Sequence, residues 1–160
     1  MENAFRIFLT ITKELNKLGI SPVLFGSLGV EVATGQEIIK NDVDILVPDV
    51  WVGKNWQSLI TLMNKMGFVL KDEKEHEFIR NSDIIAFAGD SALSDISLRT
   101  HDLISKEIEG VKFLLPTAEQ FLLVYRFSEK DGYRLEKRND RKKIELLELF
   151  IKNQMGSKKP

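Results

Sequence analysis

Two short stretches of this 160-residue chain hold residue types able to do chemistry. The apolar run Val23, Leu24, Phe25 stops at Gly26-Ser27-Leu28-Gly29, and a later apolar run opens as Asp42-Val43-Asp44. A strand that ends in Gly-Ser ahead of a helix puts backbone N–H groups and a hydroxyl at a helix N-terminus. Phosphate oxygens bind well there, and glycine lets the backbone come close. Carboxylates two residues apart on a strand project from one face. Such a pair is a hard oxygen donor set suited to Mg²⁺, which takes one or two protein carboxylates and fills its shell with water and substrate phosphates. A phosphate cradle beside a metal cradle implies phosphoryl or nucleotidyl transfer through bridging metal ions. Singly each signal is weak, since Gly-Ser turns are common and an Asp-x-Asp is usually a solvated strand face. In strand–helix–strand order the two together point to a site.

The elements that must position these residues can be read from the hydrophobic pattern. Residues 3–18 repeat apolar side chains at helical spacing from Phe5 to Leu18 and stop at Gly19. Val23–Phe25 reads as a buried strand, and Leu28–Thr34 as a short helix with Ser27 as its N-cap and Gly35 as its stop. Residues 42–47 read as the second strand and residues 54–66 as an amphipathic helix ended by Gly67. Short strands are expected at 68–70, 77–80 and 83–88, with Asn81-Ser82 turning a hairpin between the last two. Residues 90–99 show no clear period. A further hairpin is expected from 103–108 to 111–115 around Glu109-Gly110. Thr117 to Gln120 fits a capping box that starts a helix. A polar break at 128–132 precedes a last helix from about Arg134 to Asn153. The reading is therefore α/β, a small mixed sheet flanked by helices with a short helical C-terminal region. It forms a single domain over residues 1–155, with a disordered tail at 156–160.

Composition narrows the function classes. Hydrophobic residues make up 43% and charged residues 29%, as in an ordinary globular protein. Cysteine is absent, which excludes disulfides, thiolate zinc sites, Cys nucleophiles and iron–sulfur clusters; His76 and His101 alone cannot build a His-rich metal centre. No stretch is apolar enough for a membrane helix and no signal-peptide layout opens the chain, so a cytoplasmic place is expected and no membrane partner. The formal net charge is −1, unevenly spread: residues 126–160 carry eleven Lys/Arg against six Asp/Glu. A basic end of that kind fits either a solvated helix face or the approach of a polyanionic ligand. The near-neutral balance argues against a dedicated DNA-binding protein.

The run from Val23 through Gly35 to Val47 resembles the signature of the DNA polymerase β-type nucleotidyltransferase superfamily: apolar residues, Gly-Ser, a helix, then Asp-x-Asp on the next strand. The positions of Gly29 and Gly35 and the C-terminal helices are most similar to the small bacterial branch that contains lincosamide and toxin-type nucleotidyltransferases. The resemblance is strong over residues 23–47 and weaker over 117–147, where a basic stretch with an embedded acid follows a helix. It implies that Asp42 and Asp44 bind two divalent cations, Mg²⁺ or Mn²⁺, bridging a nucleoside triphosphate, and that Gly26 and Ser27 touch its phosphates. It also implies a third acid on a neighbouring strand, able to serve as general base. Asp83, opening the strand Asp-Ile-Ile-Ala-Phe, is the first candidate for that acid, with Asp95 and Asp90 as alternatives.

Around this core, the C-terminal basic residues, Lys137 and Arg141 on one helix face among them, are candidate phosphate or acceptor contacts, and Lys40 is another. Trp51 and Trp56 read as core anchors, and His76 and His101 as loop or strand-edge residues. The leading expectation is metal-dependent transfer of a nucleoside monophosphate from a nucleoside triphosphate to a hydroxyl on a small molecule, a protein or an RNA end. The alternative is a catalytically weak relative that serves as a nucleotide-binding or protein-interaction module of toxin–antitoxin type. So short a chain is compatible with a homodimer that shares sites.

Overall fold

The chain enters its first helix at Asn3, whose side-chain oxygen accepts hydrogen bonds from the N–H groups of Phe5 (2.8 Å) and Arg6 (3.3 Å). These satisfy two of the four N–H groups that every helix start leaves open. A computed structural model describes residues 3–130 and 139–157. Helix α1 (Ala4–Lys17) buries Ile7, Phe8, Ile11 and Leu15 along one stripe. Strand β1 (Val23–Phe25) runs directly into α2 (Gly26–Thr34), which starts two residues earlier than the pattern predicts. Ser27 is therefore inside the helix, and the N-cap position falls to Phe25, whose side chain makes no capping hydrogen bond. Strand β2 (Val43–Val47) and helix α3 (Trp56–Lys65) follow. Then come β3 (Val69–Asp72), β4 (Glu77–Arg80) and β5 (Asp83–Gly89). Residues Asp90–Ile96, which lack a clear period, form a 3₁₀ helix.

The hairpin β6 (Ile104–Ile108) and β7 (Val111–Leu115) leads into α4 (Ala118–Lys130). The expected capping box is present: the Thr117 N–H donates to Gln120 Oε1 (2.9 Å), and the Gln120 N–H donates to Thr117 Oγ1 (3.1 Å). Helix α4 continues through the polar residues from Ser128, so the predicted break starts too early, and the start predicted near Arg134 lies outside the described residues. Helix α5 (Asn139–Ser157) also includes Gly156 and Ser157, which the pattern assigns to a tail. The rest of that tail, residues 158–160, lies outside the described residues.

Seven strands form one mixed sheet in the order β3-β4-β5-β2-β1-β7-β6. As expected, the Gly-Ser strand, the Asp-x-Asp strand and the strand opening at Asp83 are its three central members. Strand β2 is antiparallel to β1 and parallel to β5, while β1 is parallel to β7. Register lines up one row across four strands: Phe25 faces Asp44, Asp44 faces Ala86, and Ala86 faces Glu77. Alternation along a strand then sorts the side chains by face. Val43, Ile45 and Val47 join Ile85 and Phe87 in the main core, whereas Leu46 joins Val23, Leu93 and Leu103 in a smaller cluster. Asp44 lies on the Leu46 face. Helix α2 packs closely: a Cβ on Gly29 would come within 2.6 Å of the Phe121 ring and 2.8 Å of the Leu24 carbonyl oxygen.

Candidate active site

A cleft of about 680 Å³ opens at the point where β1 passes into α2. Gly26 and Ser27 form one wall, Asp42 and Asp44 the floor beside them, and Tyr125, Ser128, Asp140 and Lys143 of α4 and α5 the facing side. The two motifs read from the sequence thus meet in one place, and the geometry explains the glycine. Gly26 has φ +63°, and a Cβ there would lie 2.1 Å from Asp44 Oδ2. Only glycine lets the helix start sit against this carboxylate. The first turn of α2 contains no acidic residue, and Gly26 and Ser27 line the cleft, which puts the positive dipole end of the helix at the wall.

Asp42 reaches the cleft from the end of the loop that follows α2. That loop is tied back by Glu31, whose Oε1 accepts from the Ile38 N–H (2.9 Å) and pairs with Lys40. Lys40 also donates to the Ile38 carbonyl (2.7 Å), so it anchors the loop and does not line the cleft. Ile39, 84% exposed, stands at the rim instead.

The third carboxylate is where the sequence reading and the structure part. Asp83 shares the face of β5 occupied by Ile85 and Phe87, which point into the main core, and in the β4–β5 hairpin it is paired with Arg80. It is on the opposite face from Asp44 and does not line the cleft. Asp90 is outside the cleft too. It begins the 3₁₀ helix beside Asp49, and burial first, then the Asp49 charge, holds its carboxyl above the usual carboxylate range. Asp95 does line the cleft. On β5 the position beside Asp44 is Ala86, which offers no side-chain oxygen. Among the described residues no group of three or more His, Asp or Glu side chains is gathered closely enough to hold a metal. The donor pair Asp42 and Asp44 nevertheless suits a cation that needs only one or two protein carboxylates.

Of the other lining residues, Asp140 and Lys143 fall in the C-terminal basic stretch with its embedded acid that the sequence singles out, and the rest carry no local signal. Glu75 and Glu77 enter from β4 and the turn before it, and Tyr125 and Phe127 from α4. Asp140, only 5% exposed, accepts a hydrogen bond from Ser128 Oγ (3.1 Å). The Lys143 ammonium sits 4.9 Å from the centre of the Tyr125 ring, a cation–π distance. Lys137 lies outside the described residues, and Arg141 pairs with Glu129 and Glu145 away from the cleft. Trp56 packs on His76 and Phe78, as a core anchor does.

The chain is 35% identical over 153 residues to the uncharacterized protein YnaI of Bacillus subtilis (strain 168), covering 91% of this chain and 96% of that protein. It belongs to the same family as that protein. No family model matches the sequence. Among solved structures it is similar to the antibiotic-resistance factor ANT(2'')-Ia in solution, with TM-score 0.56, 12% identity and coverage of 98% and 96% of the two chains. The crystal structure of ANT(2'')-Ia in complex with adenylyl-2''-tobramycin gives TM-score 0.53 at 12% identity, over 93% and 97%. At such identity the likeness is one of fold, and the fold is nucleotidyltransferase-like.

Proposed function

We propose that this member of the YnaI family is a metal-dependent nucleotidyltransferase that moves a nucleoside monophosphate from a nucleoside triphosphate to a hydroxyl acceptor and releases pyrophosphate. The observation that carries this reading is the contact at the root of the cleft, where the start of α2 at Gly26 lies directly against the Asp44 carboxylate. An anion-binding helix end and a cation-binding carboxylate in van der Waals contact suit a ligand that is itself a metal–phosphate complex.

Asp42 and Asp44 would hold Mg²⁺ or Mn²⁺, which when bound neutralises charge on the transferring phosphoryl group. Gly26 and Ser27 receive phosphate oxygens on backbone N–H and hydroxyl donors. Ile39, Tyr125 and Phe127 supply the apolar part of the cleft, where a base or an acceptor ring can shed water. Among the described residues the cleft lining holds six carboxylates and one ammonium, Lys143. The acceptor hydroxyl would belong to a small molecule, a protein or an RNA end. The acceptor carried in the ANT(2'')-Ia complex, tobramycin, illustrates a hydroxyl-bearing small molecule. A cytoplasmic place suits a nucleoside triphosphate substrate. The finer kinship with lincosamide and toxin-type enzymes rests on the Gly29 and Gly35 positions.

The test is calorimetric titration of a nucleoside triphosphate panel with Mg²⁺ or Mn²⁺ into the wild-type chain and the Asp42→Ala/Asp44→Ala variant. Metal-dependent binding confined to the wild type is the expected result and justifies an acceptor screen; no binding to the wild type refutes the reading. Ala86 favours one second reading, a binding module with weakened catalysis, because it leaves β5 without a carboxylate beside Asp44.

A further inference from the structure

Four carboxylates other than Asp42 and Asp44 line the cleft, and they differ in how rigidly the fold places them. Asp95 sits in the 3₁₀ segment beyond β5, Glu75 in the turn before β4, and Asp140 on α5 in a hydrogen bond with Ser128. Glu77 alone is set by the sheet. It opens β4, faces Ala86 on β5, and Ala86 faces Asp44 on β2, so Glu77 and Asp44 occupy one row on one face of the sheet.

Two strand spacings separate their Cα atoms, about 9.6 Å. The residue between them ends at Cβ, so its own side chain does not fill the space above it. A glutamate and an aspartate reaching toward each other over an alanine can bring their oxygens to either side of one divalent cation, which takes ligands at about 2.1 Å. Glu77 is partly buried, with its side chain 21% exposed, and it makes a long ion pair: Lys71 Nζ lies 3.4 Å from Glu77 Oε1. Lys71 is itself 43% exposed. A pair so long and so wet holds the carboxylate weakly, leaving it able to turn toward the cleft.

We propose that Glu77, reaching over Ala86 from β4, supplies a further carboxylate ligand to the cation held by Asp42 and Asp44. This rests on the nucleotidyltransferase reading above. It gives Ala86 a second meaning: the strand beside Asp44 lacks an acid because the acid stands one strand further along the same row. Lys71 then acts as a competitor that holds Glu77 while the cation is absent.

The experiment is titration of Mn²⁺ and of Mn²⁺ with ATP into the full chain, followed by calorimetry and by Mn²⁺ paramagnetic resonance. Wild type would be compared with Glu77→Gln, Lys71→Met, Asp83→Asn and Asp44→Asn, all with thermal unfolding in parallel. Glu77→Gln should weaken Mn²⁺ binding by roughly tenfold or more, at least what loss of an outer partner of a metal ligand costs. Lys71→Met should tighten it, and Asp83→Asn should leave it unchanged. A merely structural Lys71–Glu77 pair would make the first two variants move together, in binding and in unfolding temperature, and would overturn the proposal. So would wild-type affinity in Glu77→Gln when Asp44→Asn has lost binding, a result that leaves the nucleotidyltransferase reading standing. If the wild type binds neither Mn²⁺ nor its ATP complex, both inferences fall together.

Discussion

Replacing Gly26 with alanine tests the site at its tightest contact. The new Cβ would lie 2.1 Å from Asp44 Oδ2 and 2.9 Å from its Cβ and Cγ. Non-bonded atoms settle at about 3.5 Å, so the carboxylate must retreat by roughly 1 Å or more, or the start of α2 must lift by as much. Independently, φ +63° costs an alanine about 1–2 kcal/mol. For a chain of this length that alone lowers the unfolding temperature by roughly 2–8 °C. The displaced carboxylate adds a functional loss, on the order of tenfold to a hundredfold in Mn²⁺·ATP affinity. Gly35→Ala separates the two effects, because Gly35 has φ +73° and a Cβ there would meet nothing within 4 Å. Gly35→Ala should lose the backbone cost alone in differential scanning calorimetry, and only Gly26→Ala should also lose Mn²⁺·ATP binding in isothermal titration. Equal binding in Gly26→Ala and wild type would refute the argument that this contact shapes a cation site.

Three further outcomes follow from the same geometry. Asp83→Asn should leave Mn²⁺·ATP binding within about twofold of wild type by calorimetry, a difference of roughly 0.4 kcal/mol, because Asp83 faces away from the cleft. Phe121→Ala should cost about 3–5 kcal/mol in urea unfolding, since Phe121 is fully buried against Phe25 and Tyr125 behind the site. Asp90 has its folded-state carboxyl raised by burial and by Asp49, so the native state binds that proton more tightly than the unfolded chain. Stability therefore falls as pH rises through the interval just above the usual carboxylate range. Asp90→Asn should flatten that part of a stability-against-pH curve measured by urea unfolding, without changing Mn²⁺·ATP binding.

How much of the site is legible in the sequence depends on how local each signal is. Gly26-Ser27 and Asp42-x-Asp44 are legible because a turn glycine, a helix start and a two-residue alternation all act within a few residues. The hairpin turns at Asn81-Ser82 and Glu109-Gly110, and the Thr117–Gln120 capping box, are legible for the same reason. The start of α2 misleads because serine is a favoured N-cap, whereas here glycine at positive φ lets the helix begin at once. The choice among the candidate third acids is not legible: of Asp83, Asp90 and Asp95, only Asp95 lines the cleft. Asp83 stands at the opening of an apolar strand, which looks like the environment of Asp42, yet which face it takes depends on the register between β5 and β2. Register joins residues some forty positions apart, and no local pattern encodes it. The place of Glu77 in the Asp44 row is hidden for the same reason, since it is set by two successive pairings.

Register also decides what this cleft can recruit. Moving Asp83 to the Asp44 face would require β5 to slip by one residue, and such a slip turns every side chain of the strand over. Ile85 and Phe87, both buried now, would leave the core, at about 1.5–3 kcal/mol each. A loss of several kcal/mol is comparable to the whole margin by which a domain stays folded. The sheet is thus locked into presenting Ile84, Ala86 and Ala88 on the Asp44 face, and none of these carries a side-chain oxygen. Any acid that the sheet adds beside Asp44 on this side must come from the strand beyond β5 and must stand in the same row. Glu77 is the residue that the β4–β5 hairpin places there, with an alanine between them small enough to reach across.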